Sequence, residues 1–504
     1  MPSIVSSSSS SITLTGGTAH YVAPDVQVLV TFSDAVAFTA VDNGVLYNDG
    51  IIVSVADEGV AFSGNSGGHS VVNGESGIIR GTDSGILMFT VANALNTVTN
   101  FGSIYGSQEG VFMSGAAVGA TFELYNSGAI FGADAGVETS QTASISNAGS
   151  IQSNEYGIIL RAEASNSAVV NSGLISGTNT AIWALGANAV ITNTGLIEGG
   201  TGITYSGTGY LYNFGTITGG LNGNPAADAV RFSTSDDTAL NRGTINGDVN
   251  LGNGNDTFRG IGGTVNGTIE GSGGDDTFYI DQGDAQIDGG SGTDTLYARA
   301  DVLNTTGVEV IELLGADDLA ANGDDLANDI TGNGGANELH GGIGNDTILG
   351  GAGNDAIYGE SQSDLLAGGL GDDLLNGGSF ADTLVGNNGD DTLYGGTGAD
   401  RLIGGLGRDV YAYDSIDEIG ALADGDRIVF AQGDDLVDLS GINDEAFIFI
   451  GSAAFSGSGA MELRAISTVS GNAVAMFDEN GDGAEDGRLV LLSTATLTVD
   501  DFIL

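Results

Sequence analysis

Apolar and polar residues alternate in short bursts along the first half of the chain, and the bursts recur. The pattern Asn-x-Gly-x-Ile starts at Asn48, Asn100, Asn126, Asn147, Asn171, Asn193, Asn213 and Asn241, with a variant, ESGII, at Glu75. Successive starts are unevenly spaced, closest between Asn193 and Asn213 and farthest between Asn213 and Asn241. An alternating apolar stretch precedes each Asn, as in ELYN, ASISN and AVITN, and a Gly-apolar pair follows it, as at Gly85-Ile86, Gly110-Val111 and Gly136-Val137. Each period thus holds three short strands with period-two alternation and many β-branched residues, and helical spacing is absent. Strands this short bury no face alone. Stacked coil on coil at about 4.8 Å, they pair in parallel and join their inward side chains into one core.

The recurrent Asn is expected at a corner, bonded to the Asn of the next coil. The Gly two residues later is expected in a backbone conformation closed to other residues. Nine or ten coils between residues 45 and 270 predict a rod on the order of 45 Å long.

From Gly332 the period shortens to nine. The blocks GNGGANELH, GGIGNDTIL, GGAGNDAIY, GESQSDLLA, GGLGDDLLN, GGSFADTLV, GNNGDDTLY, GGTGADRLI and GGLGRDVYA run to Ala412. In each, glycines free the backbone to turn and expose its carbonyls, and the sixth position offers a carboxylate. The eighth position is apolar and points inward: Ile348, Ile357, Leu366, Leu375, Leu384, Leu393, Leu402 and Tyr411. An oxygen-rich turn of this kind suits calcium, a hard cation that takes six to eight oxygen ligands. The aspartates at position six are Asp346, Asp355, Asp364, Asp373, Asp382, Asp391, Asp400 and Asp409. Outlying copies carry Asp256, Asp276 and Asp294, for which a calcium turn and a plain structural turn are both open readings. Near the C-terminus, Asp478, Asn480, Asp482 and Asp486 have calcium-ligand spacing without the helices or the twelfth-position glutamate of an EF-hand, and an Asx-rich turn is the competing reading.

Composition sharpens this picture. Net charge is −54, and all 11 basic residues are arginines. A chain so acidic repels itself when compact unless cations offset the charge. It offers no basic patch for nucleic acid or a bare anionic membrane. There are 87 glycines and 3 prolines beside 41% hydrophobic residues, which fits many strands joined by glycine turns better than disorder. Cysteine is absent, so neither disulfides nor thiolate sites form. No apolar run is long enough for a membrane helix, and the first basic residue is Arg80, so a cleaved signal peptide is not expected.

The nonapeptide blocks resemble those of RTX calcium-binding proteins. The resemblance implies ions held between a turn and the next turn on the same side, pairing Asp346 with Asp364, Asp355 with Asp373, and so on to Asp391 with Asp409. Turns with Asn337 in place of Asp, with Phe380 in place of Gly, or within 359–367 are expected to bind weakly. Residues 413–504, with FIGSAAFSG-like and DENGDGAED segments and a DFIL tail, resemble the C-terminal region of serralysin-type proteases, which implies a cap on the roll and an address for type I secretion. The protease half is missing, because none of His20, His69 and His340 lies in an HExxH setting. The N-x-G-x-I coils resemble β-helical passenger regions of autotransporter-type adhesins.

Together these readings predict an all-β chain. Residues 1–45 form an N-terminal cap or strand region, and 46–270 a right-handed parallel β-helix. Transition coils occupy 271–331, an RTX parallel β-roll 332–412, and a small β-rich cap with the secretion signal 413–504. The expected protein is secreted, binds calcium, and serves a surface, matrix or adhesion role. Its expected partners are calcium ions, the type I secretion machinery, and either further copies of the chain or a cell-surface polysaccharide. A lyase or epimerase on the β-helix, or a glycan-binding module, is the alternative. No catalytic constellation supports an enzyme: Arg80, Arg161, Arg231 and Arg242 are scattered, and Asp236-Asp237 reads as a solvated loop. Tyr205, Tyr210, Tyr212 and Phe214 form the best local cluster for sugar stacking.

Overall fold

A computed structural model describes the chain except residues 1–2, 5–11, 15–18, 25, 31–33, 40–43, 65–67, 91–93, 116–118, 222–227, 282–285, 420–424, 430–434, 443–446, 458, 468–471, 479 and 493–496. It is nearly all β and divides into two units, Met1–Phe278 and Tyr279–Leu504. No helix among the described residues is long and apolar enough to cross a membrane.

The first unit is a parallel β-helix with three columns of strands. Val45–Asn48, Ser70–Asn73, Leu95–Asn100, Thr121–Asn126 and Thr142–Asn147 pair in one column. Ile51–Ser54, Ile78–Arg80, Ser103–Gly106 and Ala129–Gly132 pair in the second, and Val60–Gly64, Ile86–Thr90, Glu109–Ser114 and Ala135–Thr139 in the third. The same columns begin before residue 45: Ala19–Val22 pairs with Val45–Asn48, and Gln27–Val30 with Ile51–Ser54. The last residue of each N-x-G-x-I motif stacks on its counterpart in register, from Ile52 through Ile79, Ile104, Ile130 and Ile151 to Ile245, all buried. Each such side chain contributes roughly 1.5–3 kcal/mol by leaving water.

The Asn ladder forms as the repeat predicts. The Nδ2 of Asn48 donates to Oδ1 of Asn73 at 2.8 Å, Asn73 to Asn100 at 2.8 Å, Asn100 to Asn126 at 2.7 Å and Asn126 to Asn147 at 2.7 Å. The relay continues through Asn171, Asn193 and Asn213 to Asn241 at 2.8–2.9 Å. In the variant coil the ladder residue is Asn73, two positions before ESGII, and the intervening Gly74-Glu75 is absorbed in the turn.

The motif glycines require a correction. None of Gly102, Gly128, Gly149, Gly173, Gly195, Gly215 and Gly243 has a left-handed backbone. They are glycine because the coils approach closely there: a Cβ on Gly128 would lie 2.1 Å from the Gly102 carbonyl oxygen, and one on Gly149 would lie 2.0 Å from that of Gly128.

The second unit holds a two-column roll. Thr347–Ala352, Leu365–Leu370, Thr383–Asn388 and Arg401–Leu406 pair in parallel on one side. Glu338–Ile343, Ala356–Ser361, Leu374–Ser379 and Thr392–Thr397 pair on the other. All eight expected inward residues, Ile348 to Tyr411, have 0% exposure. Each column runs past the nonapeptides: Arg427–Val429 adds to the first and Leu436–Asp438 to the second. An antiparallel set, Glu462–Ser467, Ala473–Asp478 and Gly487–Leu491, joins the first column through Gly487–Leu491, and Phe502–Ile503 joins the second.

Candidate metal sites

Position six of each nonapeptide lies at the turn, and its carboxylate folds back under the coil. Asp346, Asp355, Asp364, Asp373, Asp382, Asp391, Asp400 and Asp409 are each no more than 3% exposed. One oxygen of each is spent on the neighbouring coil. The backbone N–H of Asp346 donates to Oδ1 of Asp364, Asp355 to Asp373, Asp364 to Asp382, Asp373 to Asp391 and Asp382 to Asp400, all at 2.8 Å, and Asp391 to Asp409 at 3.0 Å. Aspartates two blocks apart in sequence are therefore adjacent in space.

The other oxygen is stranded. Oδ2 of all eight aspartates is buried with no hydrogen-bond donor. It faces the first glycine of its own block so closely that a Cβ on Gly350 would lie 2.4 Å from Asp355 Oδ2, and one on Gly386 2.2 Å from Asp391 Oδ2. A different constraint acts at second and fourth positions with left-handed backbone, such as Gly351 (φ 107°) and Gly353 (φ 117°). The substituted blocks keep that backbone with side chains that disfavour it: Glu360 (φ 75°), Gln362 (φ 77°), Phe380 (φ 78°) and Asn387 (φ 81°).

Burial pushes these carboxyls upward, and the flanking carboxylates push further: Asp364 to about 6, Asp373 to about 7 and Asp382 to about 8. Asp355, Asp400 and Asp409 rise to about 6, chiefly by burial, and Asp346 and Asp391 rise for the same reason. A stack of buried, acceptor-only oxygens is costly as it stands. Calcium fits this donor set: hard oxygens, no sulfur or imidazole, and negative charge needing a cation.

The RTX calcium-binding nonapeptide repeat (4 copies) matches residues 261–296, 322–357, 340–375, 349–384 and 376–411. These turns are RTX calcium-binding repeats. No curated protein matches the chain. The RTX segments include the eight roll aspartates together with Asp276 and Asp294, but not Asp256 or the C-terminal loop.

At its start the RTX ladder is closed by neutral groups, and at its finish a neutral hydroxyl caps one of its two columns. At the start, the N–H groups of Asn328 and Asn337 donate to Asp346 and Asp355, and their side-chain amides donate to carbonyl oxygens, Asn328 to that of Val308 and Asn337 to that of Leu319. Asn337 is thus a terminus. At the finish, Asp400 N–H donates to Asp426 Oδ1 at 2.8 Å and Asp409 N–H to Asp435 Oδ1 at 3.3 Å. The Tyr413 hydroxyl donates to Asp426 Oδ2 at 2.9 Å, in place of a cation, and burial and Asp400 push Asp426 to about 8. Inserted residues separate Asp426 from Asp400 and Asp435 from Asp409, so the nine-residue period hides them. The Asp-x-apolar signature of DRI and DLV was their visible signal.

In the first unit, Asp237 N–H donates to Asp256 Oδ1 at 2.6 Å and Asp256 N–H to Asp276 Oδ1 at 2.8 Å. Asp237, expected in a solvated loop, is 2% exposed, and its Oδ1 accepts from Gly209 N–H at 2.5 Å. Burial raises Asp237 to about 6, and burial with Asp276 raises Asp256 to about 8. Asp294, in the second unit, is buried, and its N–H donates to Glu309 Oε2 at 2.8 Å.

The C-terminal loop is different. Asp478 accepts from Asp482 N–H at 3.1 Å and from Gly483 N–H at 2.8 Å, so both its oxygens are satisfied within the loop. Asn480 accepts from Asp482 N–H at 2.8 Å and donates to Asp486 Oδ1 at 3.2 Å.

The arginines considered for an enzyme do not converge. Arg161 pairs with Glu138 at 2.5 Å and Arg231 pairs with Asp228. Of the aromatic cluster, Tyr205 is buried against Phe232, while Tyr212 and Phe214 are exposed.

Proposed function

We propose that this chain is a secreted structural protein of the cell surface or extracellular matrix whose roll closes when it meets extracellular calcium. The stranded Oδ2 atoms of the eight roll aspartates carry this reading. Asp346, Asp355, Asp364, Asp373, Asp382, Asp391, Asp400 and Asp409 would hold the ions between successive turns on the same side, with Asp256, Asp276 and Asp294 extending the set. The loop of Asp478, Asn480, Asp482 and Asp486 fits an Asx-rich turn better, because its own amides satisfy Asp478. Bound calcium supplies positive charge and added coordination to the folded state alone, so its binding free energy adds to folding. Inside a cell, where calcium is scarce, carboxylate repulsion keeps the roll open and threadable for type I export, for which 413–504 would be the address.

Light scattering and far-UV circular dichroism on chelator-treated full-length protein test the reading as calcium is raised into the millimolar range. A gain of β signal is expected, followed by ordered, chelator-reversible particles. A spectrum indifferent to calcium would refute calcium-driven closure. Closure without growth in size would refute the assembly role.

A further inference from the structure

A groove of about 710 Å³ runs along the second strand column of the first unit. Its floor is an outward row on four successive strands, Val53, Arg80, Tyr105 and Phe131, held in register by the parallel pairing. At the strand spacing the row spans on the order of 14 Å. The Arg80 guanidinium lies over the Tyr105 ring, 5.1 Å from its centroid. This stacking restrains the guanidinium, and Arg80 itself lines the groove. Among the described residues Arg80 forms no ion pair, unlike Arg161, Arg231 and Arg488. Thr82 and Ser107 put hydroxyl-bearing residues on the wall.

We propose that this groove binds a neutral glycan chain, with a sugar ring lying on Phe131 and against the edge of Tyr105, and Arg80, held over the Tyr105 ring, donating to hydroxyl or ring oxygens. The volume is that of a ligand site, and an aromatic floor with a few fixed donors suits sugars, which present C–H faces and hydroxyl edges. Charge decides against an anionic occupant. Asp57 and Asp83 lie close enough to the corner beyond Thr82 to repel each other, so a polyanion would meet carboxylates beside the single arginine. The groove is independent of the roll aspartates, so its test is separate from that of calcium closure.

The test is isothermal titration of the calcium-loaded full chain with neutral oligosaccharides (cello-, xylo- and manno-oligosaccharides) and with short oligouronates that do not gel in calcium. At least one neutral series is expected to bind. Arg80→Ala and Tyr105→Ala should each weaken it about tenfold or more, Arg80→Lys should weaken it less, and Tyr212→Ala on another column should leave it unchanged. Circular dichroism of each variant confirms the fold. Binding of oligouronates alone, no binding in any series, or binding undiminished in both Arg80→Ala and Tyr105→Ala overturns the proposal.

Discussion

The two units stack one polar side chain coil upon coil, but with opposite consequences. In the β-helix the stacked residue is Asn, which donates through Nδ2 and accepts through Oδ1, so each rung satisfies the next and the ladder closes on itself. In the roll it is Asp, which only accepts. It takes its hydrogen bond from the backbone N–H of the preceding coil and leaves Oδ2 without a donor. Replacing NH2 by O− thus divides a solenoid that is complete as a protein from one completed by a cation. Where the aspartate ladder begins, the structure uses neutral donors, Asn328 and Asn337, and where it ends the Tyr413 hydroxyl caps one of its two columns.

Removing calcium should have the largest effect on this contrast. In chelator at neutral pH the roll transition in differential scanning calorimetry is expected to vanish while the β-helix transition persists. Acid should rescue the metal-free roll. Asp364, Asp373 and Asp382 are raised to about 6, 7 and 8, above the unfolded carboxylate value of about 4, so the folded roll binds more protons between those limits and loses stability as pH rises through them. In chelator, the roll transition should therefore reappear below neutral pH and move to higher temperature as pH falls toward 5. In calcium its temperature should fall over the same range, as protons displace the ion.

Substitutions sharpen the comparison. Asn147→Asp places an acceptor against Asn171 Oδ1, where a donor stood, and should destabilise the β-helix by about 3 kcal/mol in chemical denaturation. Asp382→Asn should act with two signs. It weakens the calcium midpoint about tenfold, yet stabilises the roll in chelator by about 1 kcal/mol, because it replaces a buried carboxyl that must take up a proton for the metal-free roll to fold. The smallest effect is expected at Phe380, which is exposed and left-handed at φ 78°: Phe380→Gly should raise stability in calcium by about 1 kcal/mol.

Much of this was legible in the residues because both ladders are periodic. The Asn and Ile rungs, the three columns and the inward row from Ile348 to Tyr411 follow from spacing, and the adjacency of every second roll aspartate followed from the RTX resemblance. Where insertions break the period, legibility failed. Asn73 is displaced by two positions, and Asp426 and Asp435 follow intervals of 26 rather than the 18 of the roll. Asp237 escaped notice because serines replace the glycines of its turn, so an acid pair among polar residues read as solvent-facing. The motif glycines were foreseen for the wrong reason, since contact between coils is invisible in a local pattern. The Arg80–Tyr105 groove joins residues from four coils, none distinctive alone.

The most direct test of the contrast is hydrogen–deuterium exchange of the full-length protein at neutral pH, with and without calcium. Amides of the roll strands, 338–406, are expected to lose protection on chelation, while those on either side of the Asn ladder, 95–245, keep it. Equal loss in both regions, or protection of the roll unchanged by chelation, would contradict the account.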